Sequence, residues 1–297
     1  LGAVFNVVLV VFIVATMVSA GFTTTFENLT SVLRRWLLVV MVLVAGFVLR
    51  PLIGWGTAEL FSLDTPAYIA MVLLACVPGA PLGVKFVMNS GGDVVTGAVF
   101  QVLLAVVASF TFAPTANLII EAANLGDSVS LPVADIIMAV VFLQVIPFTV
   151  GILVRHWTEA RALEWNQTAA KISSSTFLVV IALAILGSWQ TIIDLIGSRT
   201  LIAGVVFTAV ALIVGYFLSQ GDGTTRKATA FAMPGSNAGP AFAAVAIAFN
   251  NDPAILGAVS ALIFVQIIVL ALAASYLGKD EQGATAPEAS QPTEAPA

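Results

Sequence analysis

The chain has 297 residues, of which 60 % are hydrophobic and 9 % are charged, and its formal net charge is −5 at pH 7. Its mean hydropathy is +1.06. Soluble domains carry roughly 25 % charged residues, so this composition excludes an ordinary soluble protein. It predicts an all-α integral membrane protein that is surrounded by the lipid bilayer, and we expect no nucleic-acid partner.

Apolar runs long enough to cross a bilayer follow one another along the chain. Because about 20 apolar residues span the hydrocarbon core as a helix, these runs predict about nine transmembrane helices. They cover residues 3–22, 33–53, 66–88, 93–121, 132–154, 172–196, 200–218, 228–249 and 253–276. We therefore expect one transmembrane transporter domain over 1–279. Residues 155–171 are predicted to form a short surface helix, and 280–297 a disordered cytoplasmic tail.

Basic residues fall on one side of this predicted topology. They are Arg34, Arg35, Arg155, Arg161, Lys171, Arg226, Lys227 and Lys279, and among the loop positions only Arg199 disagrees. Loops rich in Lys and Arg stay in the cytoplasm, so we expect the N-terminus outside and the C-terminus inside. The expected location is the inner (plasma) membrane of a bacterium.

Two of the predicted spans contain the same helix-breaking pattern. Residues 78–86 read PGAPLGVKF and residues 234–242 read PGSNAGPAF. Pro removes a helical hydrogen bond and Gly weakens the helix, and freed backbone groups are tolerated in a membrane only inside protein or beside a watery cavity. Breaks in the third and eighth spans, at 66–88 and 228–249, predict the inverted repeat of a secondary transporter. Ordinary close packing of small residues is the alternative.

The motifs resemble those of a known family. FENLTSVLRRWLLVVMVLVAGFVLRPLIGW followed by LLACVPGAPLGVKFVMNSGGDVV resembles the bile acid:sodium symporter family, and PGSNAGPAFAAVAIAF resembles the second broken helix of that family. This resemblance extends over most of residues 3–276. It implies a panel domain and a core domain, two broken helices that cross in the core, and an organic anion bound in the cleft between the domains.

The resemblance also identifies positions that hold sodium ligands in the sodium-coupled members. Only Asn237 matches those members directly. The other positions hold Gly83, Val84, Gly97, Gln101, Ala232 and Ser236. Sodium needs a cage of oxygen atoms, and most of the side-chain oxygens are missing. We therefore doubt sodium coupling, with H⁺ as the other candidate coupling ion, and a sodium-coupled bile-acid-type symporter as an alternative function.

Lys85 is a charged residue that lies in the first helix-breaking pattern, inside a predicted span. A Lys at bilayer depth costs about 2.5–3.5 kcal/mol on insertion scales, so it normally faces a cavity or a partner. It is predicted to hold the substrate carboxylate or to replace a coupling cation. The competing interpretation is that Lys85 extends from the end of its span into the headgroups.

Other polar residues and the breaks themselves complete the predicted substrate site. We expect Asn237, Ser236 and Gln101 to bind substrate at the crossing, where the backbone is shaped by Pro78, Pro234 and Gly239. Gln144 and Gln266 are expected to have structural roles. Arg50, placed at the outer end of its span, is expected to be an interfacial anchor.

The sequence thus predicts a secondary active transporter of a small organic anion that works by alternating access. A membrane ligand sensor that uses the same cleft without transport is the alternative. Cys76 is the sole cysteine and His156 the sole histidine of the chain. Neither residue suggests catalysis, so we expect no enzymatic activity and no cofactor. The substrate, the oligomeric state and the direction of transport are not predicted.

Overall fold

The computed structural model describes residues 2–125, 130–187, 189–195 and 197–284. The first half of the chain forms α1 (Gly2–Thr23), α2 (Phe26–Leu33), α3 (Trp36–Val44), α4 (Arg50–Leu60), α5 (Thr65–Ala75), α6 (Gly83–Asn89) and α7 (Val94–Ala122). The second half forms α8 (Val133–Val140), α9 (Ile146–Trp157), α10 (Glu159–Gly187), α11 (Trp189–Leu195), α12 (Arg199–Leu218), α13 (Gly223–Ala232), α14 (Ala238–Phe249) and α15 (Pro253–Ala284). Single π turns join α3 to α4 and α8 to α9.

Within the described residues, seven continuous helices are long and apolar enough to cross a membrane. They are Ala3–Thr23, Trp36–Leu60, Val94–Ala122, Val133–Trp157, Glu159–Ala184, Arg199–Leu218 and Pro253–Gly278. This confirms the all-α membrane fold. The two remaining predicted spans are each divided into two shorter helices, α5 with α6 and α13 with α14, at the P-G patterns.

Several predicted boundaries are wrong. Residues 155–171 do not form a separate surface helix, because no Gly or Pro interrupts the chain between Glu159 and Gly187 and α10 runs through as one helix. The second broken helix begins at Gly223 instead of 228. Asp222 caps it there, since its carboxylate accepts a 2.8 Å hydrogen bond from the backbone N–H of Thr225, which also lowers the pKa of Asp222.

The end of the chain lies mostly outside the described residues. Helix α15 extends to Ala284 and so enters the segment that was predicted to be disordered. The rest of that predicted tail, 285–297, is not among the described residues.

The helices pack in two groups. In the first group, which we call the panel, α1 packs along α9 and α10. Gly21 and Gly151 let α1 and α9 touch backbone to backbone, since a Cβ atom on Gly151 would lie 2.6 Å from the carbonyl oxygen of Val18. The second group, which we call the core, contains α3 to α7 and α12 to α15.

Helices α5 and α14, one from each broken helix, are deeply enclosed in the core. Every residue of α5 from Ala67 to Ala75 is buried, and so is every residue of α14 from Ala238 to Val245. Helix α5 packs against α4 and α15, while α13 packs against α12 and α7. The interrupted backbone is therefore surrounded by protein, as a break at membrane depth requires.

Candidate functional site: the helix crossing and its cavities

The breaks after α5 and α13 meet and pair with each other. Pro78 and Ser236 form an antiparallel β-bridge. The backbone N–H of Asn237 donates to the carbonyl of Val77 at 2.8 Å, and that of Ala80 donates to the carbonyl of Gly235 at 3.3 Å. Backbone groups freed by one break thus satisfy those freed by the other. The two P-G patterns, which are far apart in sequence, form one structural unit.

Gly79 is needed at this crossing for two reasons. Its φ angle of +95° lies in a region that residues with a side chain rarely adopt. In addition, a Cβ atom there would lie 2.8 Å from the carbonyl oxygen of Gln101 and 2.9 Å from the backbone nitrogen of Ala105. Helix α7 can therefore approach the crossing closely only because position 79 has no side chain.

Arg50 is not an interfacial anchor; it lies inside the core. Its side chain is completely buried. One terminal nitrogen, Nη1, donates to the carbonyl of Ala75 at 2.5 Å, while Nη2 donates to Ser236 Oγ at 2.6 Å and to the carbonyl of Pro234 at 3.2 Å. The prediction failed because this span continues to Leu60 rather than ending near residue 53, which puts Arg50 well inside it.

Ser236 connects several groups at the crossing. Its hydroxyl accepts from Arg50 and donates to the carbonyl of Leu74 at 3.0 Å. Its backbone N–H donates to Oε1 of Gln266 at 3.2 Å, in keeping with the structural role expected for Gln266. The hydroxyl of Ser236 is thus engaged with protein groups, although the residue also borders a cavity.

Asn237 joins the core to the panel side of the molecule. Its side-chain amide donates to Oε1 of Gln144 at 2.9 Å, and Gln144 lies in the π turn between α8 and α9. Both side chains are buried. The other amide atom of Gln144, Nε2, has no hydrogen-bond partner among the described residues.

Two cavities lie between the panel and the core, with volumes of about 390 Å³ and 470 Å³. These volumes are within the range of small-molecule sites, roughly 300–1,000 Å³. Five residues line both cavities: Pro81, Leu82, Lys85, Ser173 and Ser174. The smaller cavity reaches the crossing at Gly235 and Ser236, and the larger one reaches the turn between α1 and α2 at Thr24.

Lys85 stands in the wall that the two cavities share. It belongs to the first turn of α6, and its side chain is exposed. Among the described residues the one salt bridge is between Arg155 and Glu159, so no carboxylate pairs with Lys85. The geometry therefore makes the Lys85 ammonium available to a ligand in either cavity.

The other predicted site residues are divided between the crossing, the cavities and the helix contacts. Gln101 is largely buried and borders the larger cavity. Pro78 and Pro234 belong to the crossing, while Gly239 lies against Ile13 of the panel, where a Cβ atom would come within 2.7 Å of Ile13 Cγ1.

The positions where the resemblance places sodium ligands offer few oxygen atoms. The residues without a side-chain oxygen are Gly83, Val84, Gly97 and Ala232. Ser236 Oγ is used by Arg50 and Leu74. No group of His, Cys, Asp or Glu suited to a metal ion occurs in the part of the chain that the structure describes. Of these positions, Gln101, Ser236 and Asn237 alone carry a side-chain oxygen, so a sodium ion here would have to be held largely by backbone carbonyls.

Sequence reasoning missed Arg50 as a member of the crossing. Its signal was an Arg within an apolar run, next to Pro51. Ionisable residues inside a span are functional candidates by default, and this rule identified Lys85 but was not applied to Arg50 because of the misplaced span end.

Comparison with known proteins shows several distant relatives. The chain is 22 % identical over 220 residues to a probable sodium/metabolite cotransporter of rice (Oryza sativa subsp. japonica), BASS2, chloroplastic, covering 71 % of this chain and 50 % of that protein. It is 24 % identical to another rice protein with the corresponding name, BASS3, over 69 % of this chain and 47 % of the relative. It is also 24 % identical to human P3 protein, over 60 % of this chain and 37 % of the relative. The chain thus spans half or less of the length of these relatives.

A family model gives the broader assignment. Residues 9–215 match the model of the Sodium Bile acid symporter family, which is more than half of the chain. The matched region contains the first broken helix, α5 with α6, and most of the panel. The chain therefore belongs to the Sodium Bile acid symporter family, whose members are membrane transporters and not enzymes, as the sequence predicted.

Proposed function

We propose that the protein is a secondary active transporter of a small organic anion. The observation that carries this proposal is the Lys85 ammonium, which has no carboxylate partner among the described residues and lies in the wall of both cavities. A cation that lines a cavity between membrane helices attracts anionic ligands, and no described carboxylate competes for it. The names of the rice relatives, sodium/metabolite cotransporters, support a small metabolite as the cargo.

The surroundings of Lys85 favour a carboxylate over a neutral ligand. The smaller cavity is bordered by Ala238, the first residue of α14, and helix N-termini attract negative charge. Ser173 and Ser174 line both cavities from the panel side of the cleft, and the hydroxyl of Ser173 is hydrogen-bonded to that of Thr16 at 2.6 Å. Phe12 and Phe177 supply apolar surface for the body of the anion. A carboxylate attached to an apolar group fits this arrangement best.

The position of the cavities favours alternating access. The larger cavity borders Thr23, Thr24 and Asn28, at the end of α1 that precedes the basic residues of the first loop. Toward the other end of α1 the panel and core touch, with the rings of Phe5 and Phe242 5.8 Å apart. We therefore assign this conformation as open to the cytoplasm. Rocking of the panel against the core would close the cavities and open the opposite side.

Uptake into proteoliposomes tests the proposal. The full chain is reconstituted and screened with radiolabelled organic acids, with Lys85→Met as the site variant and Lys171→Met as the control, since Lys171 is an exposed lysine of α10 outside the cavity walls. We expect Lys85→Met to reduce uptake at least about tenfold, the loss of one ion-pair-like contact of about 1.4 kcal/mol or more, with an unchanged melting temperature.

Two results would contradict the proposal. If Lys85→Met transports like the parent at every pH, the ammonium does not bind the substrate. If acids raise the melting temperature but never accumulate in vesicles, the cleft belongs to a non-transporting sensor.

A further inference from the structure

The guanidinium of Arg50 lies beside the C-terminal end of α5 and beside the break that follows α13. Ala75 is the last residue of α5, and its terminal carbonyl lacks a partner within the helix and carries partial negative charge. Pro234 belongs to the break itself, two residues beyond the end of α13 at Ala232. The carbonyls of Ala75 and Pro234, and the hydroxyl of Ser236, accept hydrogen bonds from Arg50. Three oxygen atoms from the two breaks therefore surround one cation.

No carboxylate balances this buried charge in the part of the chain that the structure describes. The other close group is the ring of Phe207, whose centroid lies 5.3 Å from Arg50 Cζ. A buried charge is costly unless it is paired or hydrogen-bonded. Here backbone carbonyls and a hydroxyl compensate the two terminal nitrogens, while Nε has no hydrogen-bond partner among the described residues. Carbonyl and hydroxyl oxygens are the kind of oxygen set that holds a coupling ion where broken helices meet.

The oxygen atoms used by Arg50 are not free for a metal ion. A Na⁺ bound by the same oxygens would lie a few ångströms from the guanidinium, and two like charges about 4 Å apart repel by about 4 kcal/mol at an effective dielectric of about 20. The side-chain oxygens that could form a separate cage are absent from Gly83, Val84, Gly97 and Ala232.

We infer that Arg50 is a covalently attached replacement for the coupling cation at the helix crossing, so that the crossing is assembled without Na⁺. Because the charge of Arg50 is part of the protein and is not released, Na⁺ binding at this position cannot couple a sodium gradient to transport. The prediction that a sodium gradient does not drive transport rests on the proposed function. The prediction that the crossing forms without Na⁺ is independent of it, because it concerns only the stability of the crossing.

The test is a comparison of melting temperatures in NaCl and in choline chloride at equal ionic strength, made on the full chain in lipid nanodiscs. The variants are Arg50→Gln, whose shorter side chain frees the carbonyls and adds an amide oxygen, and Arg50→Lys, which keeps the charge. Arg199→Gln, at an exposed arginine of α12, is the matched control.

We expect the wild-type protein, Arg50→Lys and Arg199→Gln to melt at the same temperature in both salts. Arg50→Gln is expected to melt lower in choline and to regain stability as Na⁺ is titrated, with a saturable rise. A saturable rise in the melting temperature of the wild-type protein with Na⁺ would overturn the inference. This measurement is decisive even if Arg50→Gln does not fold. An Arg50→Gln protein that is insensitive to Na⁺ would also overturn it.

Uptake measured with and without a sodium gradient separates this inference from the proposed function. Uptake that is equal in sodium and choline supports the replacement of the coupling ion. Uptake that depends on a sodium gradient would overturn the prediction that sodium does not drive transport. If no acid is taken up in either salt, the proposed function fails, and the melting experiment still decides whether Arg50 fills the cation position.

Discussion

At the scale of single residues, the polar groups of this protein are placed where the backbone is interrupted. Arg50 and Ser236 bond to the crossing itself, and Gln266 accepts from it. Asn237 reaches outward from the crossing to Gln144. Lys85 alone among these faces the cavities without a described partner. Buried polar side chains therefore complete the backbone of the crossing, while Lys85 lines the cavities, where we propose that it binds the ligand.

The contact between Asn237 and Gln144 is expected to stabilise the present conformation. Asn237→Ala, Gln144→Ala and the double variant should show a coupling free energy of unfolding of about 0.6 kcal/mol, the average for hydrogen bonds between membrane helices. Thr208→Ala paired with Gln144→Ala is the control and should be additive, because Thr208 bonds only to its own helix, at the carbonyl of Gly204. Coupling as large in the control pair would contradict this prediction.

At the scale of helices, each broken helix is a pair of short segments that become stable only together. Arg50 donates to the last residue of α5 and to Pro234, just beyond α13, and the two breaks share a β-bridge. Their burial among α4, α7, α12 and α15 keeps the interrupted backbone away from lipid. The crossing is therefore a cooperative unit, so a substitution that disrupts one break should also destabilise the other.

Gly79→Ala is expected to damage this unit. Its positive φ alone costs about 1–3 kcal/mol for a residue with a side chain, and the added Cβ would press on the backbone of α7. We predict a large drop in melting temperature and in folded yield. Gly56→Ala is the matched control, since nothing lies within 4 Å of a Cβ there, and alanine is up to about 1 kcal/mol better than glycine inside a helix. Equal yields of the two variants would refute the close approach of α7.

At the scale of the whole molecule, the panel and core contact each other unevenly. Ile13 and Phe5 of α1 pack against α14. The other end of α1 is separated from α6 and α7 by the larger cavity. This asymmetry gives the protein one open side. That side lies at the end of α1 that precedes Arg34 and Arg35, and we therefore propose that it is the cytoplasmic one.

Thiol labelling measures which side is open. Ser174→Cys, in the wall of both cavities, should react with a membrane-impermeant maleimide from the cytoplasmic face only. Ile13→Cys should stay protected, because Ile13 is buried between panel and core. Asp194→Cys is a surface control expected to react from the other face. The native Cys76 is buried and should add little background. Reaction of Ser174→Cys from the outside would reverse the assigned orientation or conformation.

Local sequence determined the membrane class, the apolar spans and the position of both helix breaks, because hydrophobicity and the effects of Pro and Gly act over a few residues. The partners of these segments depended on tertiary structure. Arg50 meets Ser236 across 186 positions of the chain, and Asn237 meets Gln144 across 93. Only folding brings such groups together. For the same reason Arg50, which the sequence placed at the end of a span, lies at the crossing and donates hydrogen bonds to groups of both breaks.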